Sequence, residues 1–300
     1  MSARVLLLFC DGVGIGENNA ERNPFAAVAS PLLPFYRSRD MINLPQEGLF
    51  IPTHVDMGIA GLPQSATGQT ALLCGINSAK LLNRHVSGFP TPTLRKVLDQ
   101  HSLFLQIRRL GKIGTFANAL SEEYFKQRGE RISATTRALL AGGFPPRMIE
   151  DIRRKQAVSH DLTNDFLRKL GYEVPVVSVE ESSRILLTLI DEADFCLFEF
   201  ILSDLAGHKR DMALAKQVIE TLHRLLITLL EQYDPRTTTI IFTSDHGNME
   251  DLSVKTHTHN PVPTMVWGYG RRFFPDGDLK IEQIASIILK ILASRPMMEI

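Results

Sequence analysis

The sequence predicts an α/β fold: a three-layer, doubly wound, mostly parallel sheet with helices on both faces, plus a small, mainly helical cap. Three observations predict it. Short apolar runs end in polar, Gly-rich residues. Stretches with helical spacing separate these runs. One long middle segment, about residues 84–172, departs from both patterns and reads as mostly helical, broken by Gly142-Gly143 and Pro145-Pro146.

The runs come in order. Val5 to Cys10 leads into Asp11-Gly-Val-Gly, and Phe195 to Leu202 into Ser203-Asp204. Thr239 to Thr243 leads into Ser244-Asp245-His246-Gly247, and Pro263 to Trp267 into Gly268. Continuous apolar runs of this length suit strands covered on both faces. Asp211 to Gln232 has Leu214, Val218, Leu222, Leu225 and Leu229 at helical spacing, with Asp211 as N-cap. Thr93 to Leu110 and Ile281 to Leu292 read as helices in the same way. Two units follow: a core of residues 1–84 and 173–300, and an inserted cap of 85–172. Residues 84–172 hold 16 Lys/Arg against 8 Asp/Glu, a net of +8, in a chain whose totals of 33 and 33 cancel. That excess is either a solvated helical face or a cap that supplies cations to an anionic substrate.

Composition narrows the function classes. Zero net charge argues against a nucleic-acid or membrane-surface binder, so no stable nucleic-acid partner and no membrane are expected. Cys10, Cys74 and Cys196 are widely spaced, odd in number and without a C-x-x-C, which fits buried thiols in a reducing compartment. The N-terminal apolar run is too short for a signal-peptide core. A cytoplasmic protein is the expectation.

Three of the apolar runs end near an aspartate: Asp11, Asp204 and Asp245. If the runs are parallel strands, all three carboxylates meet at one sheet edge, where ligands of such sheets collect. Packed carboxylates repel unless cations lie between them. Histidines stand at ligand-like offsets: His208 four residues after Asp204, His246 next to Asp245, then His257 and His259. Mixed Asp/His ligation suits zinc or manganese. Taken singly, an Asp/His pair at this spacing is commonly a surface helix pair and Asp-His-Gly a strand-ending turn.

Five segments together resemble the motif series of the alkaline phosphatase superfamily: Asp11-Gly-Val-Gly-Ile-Gly16, Ser65-Ala-Thr-Gly-Gln-Thr70, Asp204-Leu-Ala-Gly-His208, Ser244-Asp-His-Gly-Asn248 and His257-Thr-His-Asn-Pro-Val-Pro263. The nearest branch in order and context is cofactor-independent phosphoglycerate mutase and phosphopentomutase. The resemblance implies two metal ions, one held by Asp204, His208 and His257, the other by Asp11, Asp245 and His246. His259 then contacts substrate or supports a ligand, or is a satisfied loop histidine.

Ser65, Thr67 and Thr70 stand at a helix start, where each could simply cap free N–H groups. The resemblance instead implies Ser65 as nucleophile, three residues before Gly68, with Thr67 as the fallback. Metal coordination would activate its hydroxyl. Thr67, Gln69, His259 and Asn260 are candidate substrate contacts. Gln69 departs from the mutase pattern, which has His after the Gly.

The resulting expectation is a two-metal hydrolase of a small anionic phosphate ester, acting through a phosphoserine. The alternative is a phosphomutase moving the group within a sugar or glycerate phosphate. A second alternative is a non-catalytic metal-binding module. Arg84, Lys126, Arg128, Arg131 and Arg137 are candidate cap contacts to an anion, and Ser133-Ala-Thr-Thr136 and His160-Asp161 are polar clusters without an assigned role.

Overall fold

In the computed structural model, which describes residues 2–36 and 41–296, the predicted apolar runs become neighbouring strands. β1 (Arg4–Cys10), β2 (Leu49–His54), β3 (Gly114–Phe116), β6 (Phe195–Phe200), β7 (Thr238–Thr243), β8 (Val262–Gly268) and β9 (Leu279–Lys280) form one seven-stranded sheet. Its order is β3-β6-β1-β7-β8-β2-β9. A small separate sheet pairs β4 (Ala119–Leu120) with β5 (Arg147–Met148). β1 pairs in parallel with β6 and β7, and β3 with β6. β8 alone runs against its neighbours β7 and β2.

The alternation of β1 explains the layers. Leu6, Leu8 and Cys10 enter one apolar core, with Leu186, Leu189, Leu222 and Leu226 from helices Val179–Asp191 and Met212–Gln232. Val5, Leu7 and Phe9 enter the other, with Leu72, Leu98, Phe104 and Ile288 from helices Ser65–Cys74, Pro92–His101, Leu103–Arg109 and Gln283–Ala293. Successive strand residues point to opposite faces, so an unbroken apolar run requires a core on each side. The three cysteines are free and buried within these layers, and burial pushes the Cys74 and Cys196 thiols up to about 12. Among the described residues no helix is long and apolar enough to cross a membrane.

Four expectations need correction. The Phe195 run stops as a strand at Phe200, because Leu202 already opens the helix Leu202–Lys209. The helix expected over 93–110 is two, parted at Ser102, whose hydroxyl caps the second through Leu105 N at 3.3 Å. The Pro263 run is antiparallel to the strands it was grouped with, so its beginning rather than its end lies at the carboxyl edge of β7. Finally, the inserted unit does not separate at residue 85. β3 is an edge strand of the main sheet, and Leu98, Phe104, Phe116 and Leu139 sit in the second core. What stands apart is smaller, with its own apolar cluster of Ala119, Ile149, Ile152, Ala157, Leu167 and Val174. The edge strand β3 is only three residues long and pairs with β6 alone, too short a run to stand out as a strand in the sequence.

Candidate metal centre and adjoining cavity

Asp11 follows β1 directly, and Asp245 and His246 follow β7 by one turn. Asp204 lies in the first turn of the helix after β6, with His208 one turn on. His257 arrives from the loop before β8, and it reaches the same edge because β8 is antiparallel. A bridge between Gly247 and Thr258 ties that loop to the β7 turn. Ser65 opens the helix after β2, which runs in the same sense as β7. Chain direction alone thus gathers seven sequence-predicted residues.

The distances are short. His208 Nε2 lies 3.3 Å from Asp204 Oδ2, and His257 Nε2 3.7 Å from Asp204 Oδ1. His246 Nε2 lies 3.2 Å from Asp11 Oδ1, 3.6 Å from Asp245 Oδ2 and 3.0 Å from Ser65 Oγ. The His246 and His257 rings stack with centroids 3.6 Å apart. Two ligand groups result, Asp204–His208–His257 and Asp11–Asp204–His246, each with donor atoms within 4.8 Å of one another. Asp204 stands in both. Close approach depends on two glycines. Gly12 has φ +68°, and a Cβ there would meet Asp204 Oδ1 at 2.6 Å. A Cβ at Gly68 would meet the Asp245 carbonyl at 2.6 Å.

The electrostatics are those of a cluster short of positive charge. Burial, then the neighbouring Asp11, holds the Asp204 and Asp245 carboxyls above the ordinary carboxylate range. Burial would lower His246, but Asp245, Asp11 and Asp204 outweigh it and push the imidazole up to about 10. Burial, then His246, pushes His257 down to about 4. A divalent cation answers the carboxylate repulsion directly.

The donor set fits such an ion. His208 Nδ1 donates to Lys255 O and His257 Nδ1 to Pro63 O, both at 3.0 Å, which leaves each Nε2 lone pair facing the cluster. Among the described residues Asp11 Oδ1 is buried without an assigned hydrogen-bond donor, and His246 Nε2 stands 3.2 Å from it. Asn248 Nδ2 donates to Asp204 Oδ1 at 2.6 Å, and Gln69 Nε2 to Asp245 Oδ2 at 3.2 Å.

The minor candidates divide. Gln69 orients a carboxylate rather than facing outward. Thr67 is fully buried, and its hydroxyl donates to Gln64 O and accepts from Val86 N, a helix-start role that removes it from the site's surface. Asn260 donates to Glu250 at 3.0 Å, and His259 is exposed. Glu250 itself was missed. Almost fully buried, it accepts from Gly14 N (2.9 Å), Asn248 N (2.7 Å), Asn260 Nδ2 and the Thr258 hydroxyl. One carboxylate therefore joins the three loops that carry Asp11, His246 and His257. Its only sequence signal is a Glu inside a polar loop, which is shared by most surface glutamates.

A cavity of about 400 Å³ opens beside Asp11, Ser65 and Gln69. The cap forms its other walls with Leu120, Tyr124, Ile149 and Tyr172, together with Ser133, Thr136 and His160 from the unassigned polar clusters. Asp161 instead caps a turn, accepting from Ser159, Asn164 N and Phe166 N. Buried Glu199 also lines the cavity, and burial, then Asp11, pushes it up to about 8. No Lys or Arg is among the lining residues. Of the expected cap cations, Arg137 pairs with Asp99 and Lys126 with Glu122, while Arg128 stands 4.6 Å from the ring centroid of Phe89, a wall of the cavity.

Residues 171–295 match the family model described as Metalloenzyme superfamily. Over that part of its length the chain is similar to metalloenzymes of this superfamily, and its sequence is similar to cofactor-independent phosphoglycerate mutases. It is 33% identical over 110 residues to the 2,3-bisphosphoglycerate-independent phosphoglycerate mutase of Methanopyrus kandleri, covering 33% of this chain and 26% of that one. It is 28% identical over 127 residues to the corresponding enzyme of Desulforudis audaxviator, covering 39% and 24%. The matched part thus spans about a quarter of the length of these relatives. The fold is shared with the PH0037 protein of Pyrococcus horikoshii (TM-score 0.60, 13% identity, 99% of both chains). It is also shared with an alkaline phosphatase from the Antarctic bacterium TAB5 (TM-score 0.56, 14% identity, 98% and 100%).

Proposed function

We propose that this chain moves a phosphoryl group from a small phosphate ester to Ser65 and then to an acceptor. The supporting observation is the position of Ser65 Oγ, at the first turn of a helix and 3.0 Å from Nε2 of His246, a member of one ligand group. Asp204, His208 and His257 would hold one divalent ion, and Asp11, Asp245 and His246 the other, zinc or manganese by their donor types. When bound, the ions would lower the pKa of the serine hydroxyl and neutralise phosphoryl oxygens.

The chain's own residues do the rest. Ser65 gives up its hydroxyl proton and its Oγ forms a bond to phosphorus as the ester's alkoxide leaves in line and takes up a proton in exchange, so that the alcohol is released. The helix N-terminus favours the anion at that position. Gln69 and Asn248 keep Asp245 and Asp204 turned to the cluster. Water then attacks the phosphoserine and releases phosphate and Ser65. Hydrolysis is favoured by the cavity, whose lining among the described residues has no Lys or Arg to hold and turn an anionic intermediate. The second reading, transfer to another hydroxyl of the same substrate, has the stronger support from the relatives, which are named as mutases.

The test is a panel of phosphate mono- and diesters, sugar phosphates and phosphoglycerate with the zinc- and manganese-loaded protein, scoring free phosphate against isomerised product. Ser65→Ala should lower turnover by about a thousandfold or more while metal content, measured by mass spectrometry, is kept. Full activity in Ser65→Ala rules out the phosphoserine route. Metal binding without turnover of any ester supports the non-catalytic module instead.

A further inference from the structure

We propose that the cavity beside Ser65 selects esters whose alcohol part is uncharged and largely apolar; this rests on the phosphoryl-transfer reading of the same site. At about 400 Å³ the cavity lies within the roughly 300–1,000 Å³ of small-molecule sites. Its cluster end is polar, with Asp11, Ser65 and Gln69. The opposite walls are Phe89, Leu120, Tyr124, Ile149, Leu170 and Tyr172. Leu170, which lines this wall, keeps 61% of its whole surface exposed, so part of it is apolar area that an apolar ligand could cover.

Charge excludes the other substrate types. The segment building these walls has a net charge of +8 (16 Lys/Arg less 8 Asp/Glu over residues 84–172), yet among the described residues no Lys or Arg lines the cavity itself, and Arg128 stacks on the wall residue Phe89. A second anionic group on the substrate, such as the carboxylate of a glycerate, would be desolvated there without a counter-charge. Glu199 is the one carboxylate of the lining away from the cluster residues. Its Oε2 accepts from Thr135 at 3.1 Å, and its Oε1 has no hydrogen bond among the described residues. Such a group adds no positive charge to the wall and offers a hydrogen-bond partner to a neutral hydroxyl.

The experiment compares 2-phenylethyl phosphate with 3-phosphoglycerate, both alkyl esters, on the metal-loaded protein. The expected result is a kcat/KM at least about tenfold higher for the phenylethyl ester. Leu170→Arg, a change at an exposed position, should cut that preference about tenfold, and Leu170→Met should keep it. Free 2-phenylethanol should compete with substrate. Equal or better use of phosphoglycerate, or a preference unmoved by Leu170→Arg, overturns the proposal while leaving phosphoryl transfer standing. If no ester turns over, phosphoryl transfer fails, and calorimetry with 2-phenylethanol still decides the cavity. Binding weakened by Leu170→Arg supports it, and no binding overturns it.

Discussion

The sheet edge and the cap wall face each other across one cavity and are built on opposite principles. At the edge, three carboxylates and three imidazoles crowd within a few ångströms, and four of the six are oriented by hydrogen bonds: His257 by Pro63 O, His208 by Lys255 O, Asp245 by Gln69 and Asp204 by Asn248. At the wall, apolar and hydroxyl side chains predominate; Arg137 pairs with Asp99 on the surface, and Arg128 packs on the wall residue Phe89. The edge therefore sets which atom is attacked, and the wall sets what is attached to it. Charge concentrated in the substrate's phosphoryl group needs only one of the two regions to be charged.

The largest break of this contrast is at Glu250. Glu250→Ala strands donors from three loops, an effect of about 2–4 kcal/mol on unfolding. The edge should loosen while the wall does not: thermal denaturation and metal titration should both weaken, and 2-phenylethanol binding should persist. Unchanged metal affinity in Glu250→Ala would show that the loops hold themselves.

Glu199 comes next, because it sits at the boundary. Its folded carboxyl, pushed up to about 8 by burial and then by Asp11, lies above the usual 4.5. The folded state therefore holds a proton that the unfolded chain has lost between about pH 4.5 and 8, and stability falls as pH rises through that window. The full effect is on the order of a few kcal/mol. Glu199→Gln should flatten the decline in urea midpoints measured on metal-free protein from pH 5 to 8. An identical slope in both proteins would assign the pH dependence to other groups.

The smallest effect tests the wall's neutrality. Arg137 and Asp99 form a two-pronged pair on the protein surface. Arg137→Met should cost less than about 1 kcal/mol and leave turnover of every ester unchanged. A selective rise in KM for phosphoglycerate would return the cap cations to substrate binding.

Much of this was legible in the residues. The runs before Asp11, Asp204 and Asp245 carry their own two-sided burial, since an unbroken apolar hexamer has no other stable home. Strand ends then bring aspartates together without any knowledge of distances. The mutual dependence of Asp204 and His208 is likewise local, one helical turn apart. The pattern did not extend to β8, where an apolar strand reads the same in either direction, yet its reversal is what delivers His257 to the edge. Net charge was also misleading: +8 over a segment says nothing about which face the side chains take.

By itself, the sequence determined the layered sheet, the aspartates at its edge and the serine at a helix start, because apolar periodicity and helix-start chemistry act within a few residues. Tertiary structure alone decided that Asp204 belongs to both ligand groups, that Glu250 ties three loops and that the cap meets the site with an apolar wall. Those features depend on side chains up to a couple of hundred residues apart approaching to about 3 Å. Only the packing of the whole chain sets such distances.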